Sequence, residues 1–304
     1  EMGFEAALDN IIERTPVDRQ TLLFSATFPK QIKAISESIM TEPVLVQISA
    51  SEDKSNINQH FYHVADDNER FEATRLLLMA NPVESTAIFC NTKKETQAVC
   101  QSLHNDGFSV LALHGDLEQR DRDQTLLRLA NKSVAILVAT DVAARGLDID
   151  ALDIVINYHI AHDSEVHIHR IGRTGRAGST GKALSLFSDK ESYKVGLLED
   201  ELDQTIKAEL LPPSEILANP RQKAKMATIQ IDGGKKQKVR PGDILGALTA
   251  KGAGEIKGCD VGKINVLDIK AYVAVNKKVL KLALKKLTNG KMKGRSFKVR
   301  HLAV

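Results

Sequence analysis

Between about Ile57 and Leu211, short apolar runs alternate with amphipathic stretches, and this alternation limits the fold more tightly than any other feature of the 304-residue sequence. The apolar runs are Ala87–Cys90, Val110–Leu113, Val134–Ala139, Ile154–Asn157 and Ala183–Phe187. The amphipathic stretches are Arg70–Ala80, Lys93–Asn105, Glu118–Ala130 and Lys190–Leu202. Near-continuous apolar runs mark strands covered on both faces, and a helix between successive strands supplies both the crossover and the cover. The pattern predicts an α/β fold built on a doubly wound, mostly parallel sheet. Small polar residues follow three of the strands: Asn91-Thr92, His114-Gly115-Asp116 and Thr140-Asp141. In open α/β sheets ligands bind beyond the carboxyl ends of the strands, so these groups share one candidate rim. Each alone is also an ordinary helix N-cap.

The flanking segments read differently. Residues 3–14 predict a helix, ended by Thr15-Pro16; Gln20–Phe24 and Val44–Ile48 predict strands, and Pro29 opens a helix to about Met40. Two helices and two strands bury too little apolar surface to stand alone. Residues 1–48 therefore read as the end of a larger domain, and the chain does not start with Met. Residues 49–56 are polar and aperiodic, a linker; Pro212-Pro213 and Asn219-Pro220 mark a second linker at 212–225. Residues 226–304 follow the order βαββαβ: strands Ala227–Ile231, Lys263–Leu267, Ala271–Val275 and Phe297–Leu302, with helices Pro241–Ala250 and Lys277–Leu287. That is the split-βαβ plan of a small α+β, RRM-like domain.

Charge separates this last module from the body. From Arg221 onward there are 21 Lys and Arg against 5 Asp and Glu, whereas the whole chain has 42 against 39. A basic module on an acidic body points to a polyanionic partner, nucleic acid before others. No run is long and apolar enough to span a membrane. The three cysteines, Cys90, Cys100 and Cys259, form no CxxC pair and no disulfide framework, which predicts a reducing cytoplasmic location.

Two stretches carry chemistry. In His169-Arg170-Ile171-Gly172-Arg173-Thr174-Gly175-Arg176, charged side chains alternate with glycines, which argues for a turn rather than a helix or strand face. Arginine forks suit phosphate, though a solvated basic turn has the same composition. In Val138–Ile149 a strand ends at Thr140-Asp141, small residues follow, then Arg145 and Asp148. Small side chains let backbone amides approach a phosphate or ribose, and a free carboxylate such as Asp148 suits a ribose hydroxyl. The plainer alternative is a helical turn with Arg145 and Asp148 as a local ion pair. His159, His162, His167 and His169 cluster nearby; a metal site would need geometric and second-shell support that the sequence does not show, and they are read as local packing, with a motif role for His169.

Together these stretches resemble the DEAD-box RNA helicases. Ser25-Ala26-Thr27, Asp141…Arg145-Gly146-Leu147-Asp148 and His169…Arg176 stand in the order and rough spacing of motifs III, V and VI. Ile88–Thr92 resembles motif IV, and Gln119-Arg120-Asp121-Arg122 the QxxR motif. The resemblance covers nearly all of residues 1–210. It implies RecA-like domains with ATP in the cleft between them, residues 57–211 being the second domain and 1–48 the end of the first. The sequence contains neither a P-loop nor an Asp-Glu-Ala-Asp box. The implied cofactor is ATP with Mg²⁺, most of whose ligands belong to the first domain. The resemblance makes Arg176 the arginine finger on the γ-phosphate, with Arg173 beside it, a role generally worth about 10³–10⁵ in rate. It gives Asp148 the ribose, and has His169 couple the nucleotide site to Ser25 and Thr27. Thr140, Gly115 and Arg122 resemble positions facing the RNA sugar-phosphate backbone, which position a strand without reading its sequence.

The module offers little for base stacking: its first strand has no aromatic residue and its third only Tyr272. Its basic edges remain, at Lys235, Lys236, Lys238 and Arg240, on the helix with Lys277, Lys278, Lys281, Lys285 and Lys286, and at Lys291, Lys293 and Arg295. Val239–Leu248 with Gly262-Lys263-Ile264 resembles the RNA-binding domain of the DbpA branch of the family. That resemblance implies, as partners, a large-subunit ribosomal RNA hairpin and pre-50S particles. The competing reading is a non-enzymatic RNA-binding or scaffold protein on a degenerate helicase fold.

Overall fold

The computed structural model describes residues 5–25, 30–46, 56–144, 152–175, 180–250 and 254–303. Thr27, Arg145, Asp148 and Arg176 lie outside the described residues. The chain divides into two compact units, Glu1–Ala50 and Ser51–Val304.

The first unit contains helices α1 (Glu5–Glu13) and α2 (Lys30–Ile39). The Thr15 hydroxyl donates to the Ile12 carbonyl at 2.7 Å and closes α1. Gln20–Phe24 and the described part of Val44–Ile48 form no ladder, against the sequence expectation. Phe24, Val44 and Val46 are 90%, 87% and 81% exposed. A strand is defined by its neighbours' backbone groups, and among the described residues these runs have no neighbour to pair with.

The second unit opens with a parallel α/β sheet. Its elements are β1 (Ile57–His63), α3 (Asp67–Ala80), β2 (Thr86–Cys90), α4 (Lys93–Asn105), β3 (Val110–Leu113), α5 (Gln119–Ala130), β4 (Ile136–Thr140), α6 (Asp141–Ala144), β5 (Ile154–Asn157), α7 (Ser164–Ile171), β6 (Gly181–Phe187), α8 (Ser192–Leu202) and β7 (Ala208–Glu209). The strand order is β3-β4-β2-β5-β6-β1-β7, and every pairing is parallel. The central strands are buried on both faces. Ile88, Cys90, Val138 and Ile156 pack with Leu77 and Leu103 on one side, while Ala87, Phe89, Leu137 and Val155 pack with Leu129 on the other. Side chains N-cap the crossover helices: Asp66 accepts from the Asn68 and Glu69 amides, Thr92 from that of Glu95, and Asp163 from that of Glu165.

The stretch His169–Arg176 departs from the turn expected of it. His169, Arg170 and Ile171 form the last turn of α7, because Asp163 starts a helix whose His167, Arg170 and Ile171 are buried as one face. Gly172 ends the helix, its amide donating to the Ile168 carbonyl at 2.9 Å. Thr174 then bridges to Leu152, and Gly175 adopts a left-handed φ of 70°. A Cβ at Gly175 would stand 2.7 Å from the Ile57 side chain and 3.1 Å from the Asn56 carbonyl, so conformation and space both require glycine here.

The C-terminal module comprises β8 (Met226–Ile231), α9 (Pro241–Thr249), β9 (Val261–Val266), β10 (Ala271–Asn276), α10 (Leu280–Asn289) and β11 (Val299–Leu302). Its antiparallel sheet has the order β11-β8-β10-β9, the RRM-like arrangement expected from the sequence. Ile229, Ile231, Val273 and Val275 face Ile244, Leu248, Ala283 and Leu287 of the helices. The opposite face is buried too: Thr228, Gln230, Tyr272 and Ala274 are at most 4% exposed. Thr228 shows what meets it. Its hydroxyl lies 2.7 Å from Ser133 Oγ and accepts from Asn131 Nδ2 at 3.2 Å, both in the turn after α5. Arg128 of α5 donates to the Ala303 carbonyl at 3.0 Å. Among the described residues, no helix is long and apolar enough to cross a membrane.

This seam is polar and buried, so its hydrogen bonds are costly to lose. Replacing Thr228 with Val strands two buried donors or acceptors and is expected to cost about 1–3 kcal/mol, readable as a lowered urea midpoint. An unchanged midpoint would mean that the two modules are not held through this contact.

Candidate functional site

Arg170 is 2% exposed, and its guanidinium is almost fully spoken for. Nε donates to Asp141 Oδ1 at 2.6 Å, and one terminal nitrogen donates to Asp141 Oδ2 at 2.8 Å and Asn91 Oδ1 at 2.9 Å. The other donates to the His159 carbonyl at 2.8 Å. These acceptors stand at or just beyond the carboxyl ends of β2, β4 and β5. The guanidinium also lies over the Phe89 ring, 5.5 Å from its centre. One residue of α7 thus ties three strand ends together. Charge pairing and hydrogen bonding offset a desolvation cost that an unpaired guanidinium could not bear.

A second arginine does the same job on the neighbouring side. Arg70 of α3 is 1% exposed and donates to the Tyr158 carbonyl at 2.6 Å, the Leu186 carbonyl at 3.2 Å and Glu191 Oε2 at 2.6 Å. Between the two arginines sits His159, with Nε2 2.7 Å from Glu95 Oε1 and Nδ1 3.2 Å from Glu191 Oε1. Burial by itself raises the Glu191 carboxyl, but hydrogen bonds and charge from His159 and Arg70 outweigh it and hold the pKa at about 2. Burial pushes the Cys90 thiol up, so it is a neutral core filler rather than a nucleophile. His167 is fully buried, stacks on Phe61 and is held neutral by burial and by Arg170, its pKa lowered to about 4.

Around Arg170 the candidate residues fall as follows. Thr140 ends β4 and Asp141 begins α6, half-exposed on the rim. His169 and Arg173, both half-buried, line a shallow cleft of about 20 Å³ with Asp141, Ala144, Val166 and Arg170. A larger cavity of about 190 Å³ lies at the amino ends of β2 and β4, remote from these groups. A Cβ at Gly115 would meet nothing within 4 Å, so packing does not impose that glycine and the rim there is open. Arg122 reaches across to the Ala143 carbonyl at 3.4 Å, joining α5 to the motif V segment. Thr92 serves as the N-cap of α4, the plainer of its two readings. Ser25 belongs to the first unit. The sequence reading missed Arg70, Glu95 and Glu191. Their only sequence signal is a charged residue on the inward face of an amphipathic stretch, which a solvated face mimics.

In the module, two basic segments distant in sequence converge. Lys235 and Lys236 lie in a 3₁₀ turn whose amides donate to the Leu267 and Asp268 carbonyls, each at 2.8 Å. Val239 is buried between exposed Lys238 and Arg240, and Asp243 accepts from the Arg240 amide at 2.8 Å to start α9. Met292 anchors the other segment in the core, and Met292 and Arg295 exchange backbone hydrogen bonds around a tight turn at Lys293-Gly294. Lys293 Nζ stands 3.7 Å from Asp243, which brings that turn to the start of α9. Lys291, Lys293 and Arg295 project outward from it as exposed side chains. Lys286 differs from the other lysines: it donates to the Leu248 and Ala250 carbonyls and caps α9.

The family description "Helicase conserved C-terminal domain" matches residues 69–178, and "DbpA RNA binding domain" matches residues 228–301. The chain is 48% identical over 302 residues to the ATP-dependent RNA helicase DbpA of Escherichia coli (strain K12), covering 99% of this chain and 65% of that protein. It is 32% identical over 319 residues to the ATP-dependent RNA helicase DbpA of Bacillus subtilis (strain 168), covering 98% of this chain and 66% of that protein. The chain thus spans slightly less than two thirds of either relative. Saccharomyces cerevisiae Dbp5 bound to RNA and ADP BeF3 superposes with a TM-score of 0.62 at 28% identity, over 72% of this chain and 59% of that one.

Lysine cannot reproduce the planar fork of Arg170, and Arg170→Lys leaves Asp141 or Asn91 without its donor. Urea unfolding is expected to show a loss of about 3–5 kcal/mol. A loss below about 1 kcal/mol would show that these strand ends are held by something else.

Proposed function

Since the chain belongs to the DEAD-box RNA helicases, in their DbpA-like branch, we propose that it supplies the second half of a composite ATP site and the RNA-directing module of an ATP-dependent helicase. The enzyme remodels ribosomal RNA during large-subunit assembly in the cytoplasm. Its partners are a large-subunit ribosomal RNA hairpin and pre-50S particles. In this reading residues 1–48 close the first RecA-like domain, 57–211 form the second, and 226–304 form the RNA-binding domain.

The observation that carries the reading is that His169, in the last turn of α7, and Arg173, just after it, share a cleft with Asp141 at the carboxyl end of β4. Phosphoryl transfer asks the protein mainly for positioning and charge neutralisation, and a half-buried arginine held just beyond the anchored helix α7 suits both. The donor set fits the phosphate end of a nucleotide: cationic forks stand beside short polar groups. ATP, bound with Mg²⁺ held mainly by the other domain, supplies the phosphoryl group. Arg173 and Arg176 neutralise charge on it, Asp148 holds the ribose, and His169 links this site to Ser25 and Thr27. Thr140, Gly115 and Arg122 line the path of the RNA backbone. The buried outer face of the module's sheet supports recognition by its basic rim instead, through Lys235, Lys236, Lys238, Arg240, Lys291, Lys293 and Arg295. Such contacts release counterions, so affinity falls steeply with salt, with a log–log slope of about −0.7 to −0.9 per phosphate neutralised.

The roles separate in one experiment. In the protein carrying the P-loop, Arg176→Ala is expected to lower RNA-stimulated ATP turnover by about 10³–10⁵ and leave hairpin affinity unchanged. Loss of both together would refute the division of labour. The 304-residue chain alone is expected to bind the hairpin without hydrolysing ATP, because these 304 residues contain no P-loop. Phosphate release above background would contradict that.

A further inference from the structure

His159 stands where the sheet meets the arginine-bearing helix, and nothing in the proposed reaction uses it. Both of its ring nitrogens face carboxylate oxygens, Glu95 Oε1 at 2.7 Å and Glu191 Oε1 at 3.2 Å. A neutral imidazole has one N–H and one lone pair. It could satisfy one of these carboxylates only by turning its lone pair on the other. Glu191 is already committed as an anion by Arg70, whose guanidinium lies 2.6 Å from its second oxygen.

The triad is wired to the arginine anchor on two sides. The His159 carbonyl accepts from Arg170 at 2.8 Å. Glu95, on the far side of the ring, accepts from the Asn91 amide through its second oxygen at 3.3 Å, and Asn91 Oδ1 accepts from Arg170 at 2.9 Å. The ring therefore joins two of the acceptors that hold Arg170. We propose that His159 is a positioning residue: as an imidazolium it clamps Glu95 to Glu191, and through the His159 carbonyl and Asn91 it fixes Arg170 and the helix α7 that presents His169 and Arg173.

Arg70 of α3 and Arg170 of α7 are cations that oppose a charge on the ring, and Lys194 of α8 lies close by, donating to the Ile160 carbonyl at 3.3 Å. Tyr158 meets the ring edge-on at 5.3 Å between centres. Burial pushes the Tyr158 hydroxyl and the Cys90 thiol of β2 upward in pKa, so neither contributes charge. Burial is the largest single influence on His159 and disfavours its cation, but the hydrogen bonds to Glu191 and Glu95 together outweigh it, and the net shift is upward. For a histidine whose folded-state pKa is raised, the stabilisation is fully present below the ordinary value of about 6.5 and is lost as pH rises through the folded value. The clamp is therefore intact in mildly acid solution and loosens toward alkaline pH.

The consequence for ATP turnover rests on the helicase reading, but the clamp can be read without nucleotide or activity. Long-range ¹H–¹⁵N spectra of the full chain, followed through a pH titration, should show the His159 ring losing its second proton only above the ordinary imidazole value of about 6.5. Hydrogen exchange of the α7 amides, corrected for intrinsic rate, should lose protection as His159 titrates, by about tenfold for each unit of pKa elevation. In His159→Gln, α7 should exchange faster at pH 6 and no longer respond to pH; Glu95→Gln should lower the His159 titration midpoint while the chain stays folded. A His159 midpoint at or below the ordinary imidazole value, or α7 protection that ignores the titration, overturns the proposal and leaves the helicase reading untouched. If both spectroscopic results hold while the P-loop-bearing protein fails to hydrolyse ATP, the helicase reading falls and the clamp stands.

Discussion

The ion pair between the buried Arg170 and the half-exposed Asp141 is the interaction on which the rest of the site depends. A parallel sheet fixes where its strands end but not what sits above those ends. In this chain α7 is laid across them by a guanidinium that sees a carboxylate, a side-chain amide and a backbone carbonyl, each from a different strand end. Such an arrangement contributes less net stability than its hydrogen bonds suggest, since desolvation of the charges consumes most of the gain. What it supplies is definition. Removing one member leaves a buried charge unsatisfied, so alternative positions of the helix are expensive.

Arg70 repeats the device one strand away, and the carbonyls of Tyr158 and His159, consecutive residues after β5, each receive one arginine. The two buried cations are joined by a chain of carboxylates and one imidazole. This makes the carboxyl edge of the sheet a preformed polar platform, the kind of rigid support that a site for charged ligands needs to act without reorganising. The amino edge, by contrast, holds a mostly apolar cavity among residues such as Met79, Val83 and Phe108. In open parallel α/β sheets ligands bind beyond the carboxyl ends of the strands, the edge that is polar here.

The sheet, its crossover helices and the module's βαββαβ order were legible because each rests on local periodicity. Val134–Ala139 could hardly be anything but a covered strand, and Lys277–Leu287 anything but a helix. Failures came where structure is set by distant partners. Gln20–Phe24 has strand composition but, among the described residues, no strand beside it. His169–Ile171 looked like a turn because glycines follow it, while its helical state comes from the Asp163 cap and from burial of Arg170. His159 was legible as a packing histidine but not as the bridge between Glu95 and Glu191, since residues 95, 159 and 191 meet only when the strands are ordered in space. The missing aromatic residues on the module's sheet were readable; that the turn after α5 meets the same face was not.

A double-mutant cycle on Arg170 and Asp141 tests the central claim most directly. Arg170→Met, Asp141→Ala and the pair would be compared by urea unfolding. The account predicts that the double variant loses much less than the two single variants combined, with a coupling energy of about 2–3 kcal/mol. Additive losses, agreeing to within about 0.5 kcal/mol, would show that the two residues act independently and that the helix is held in place by other means.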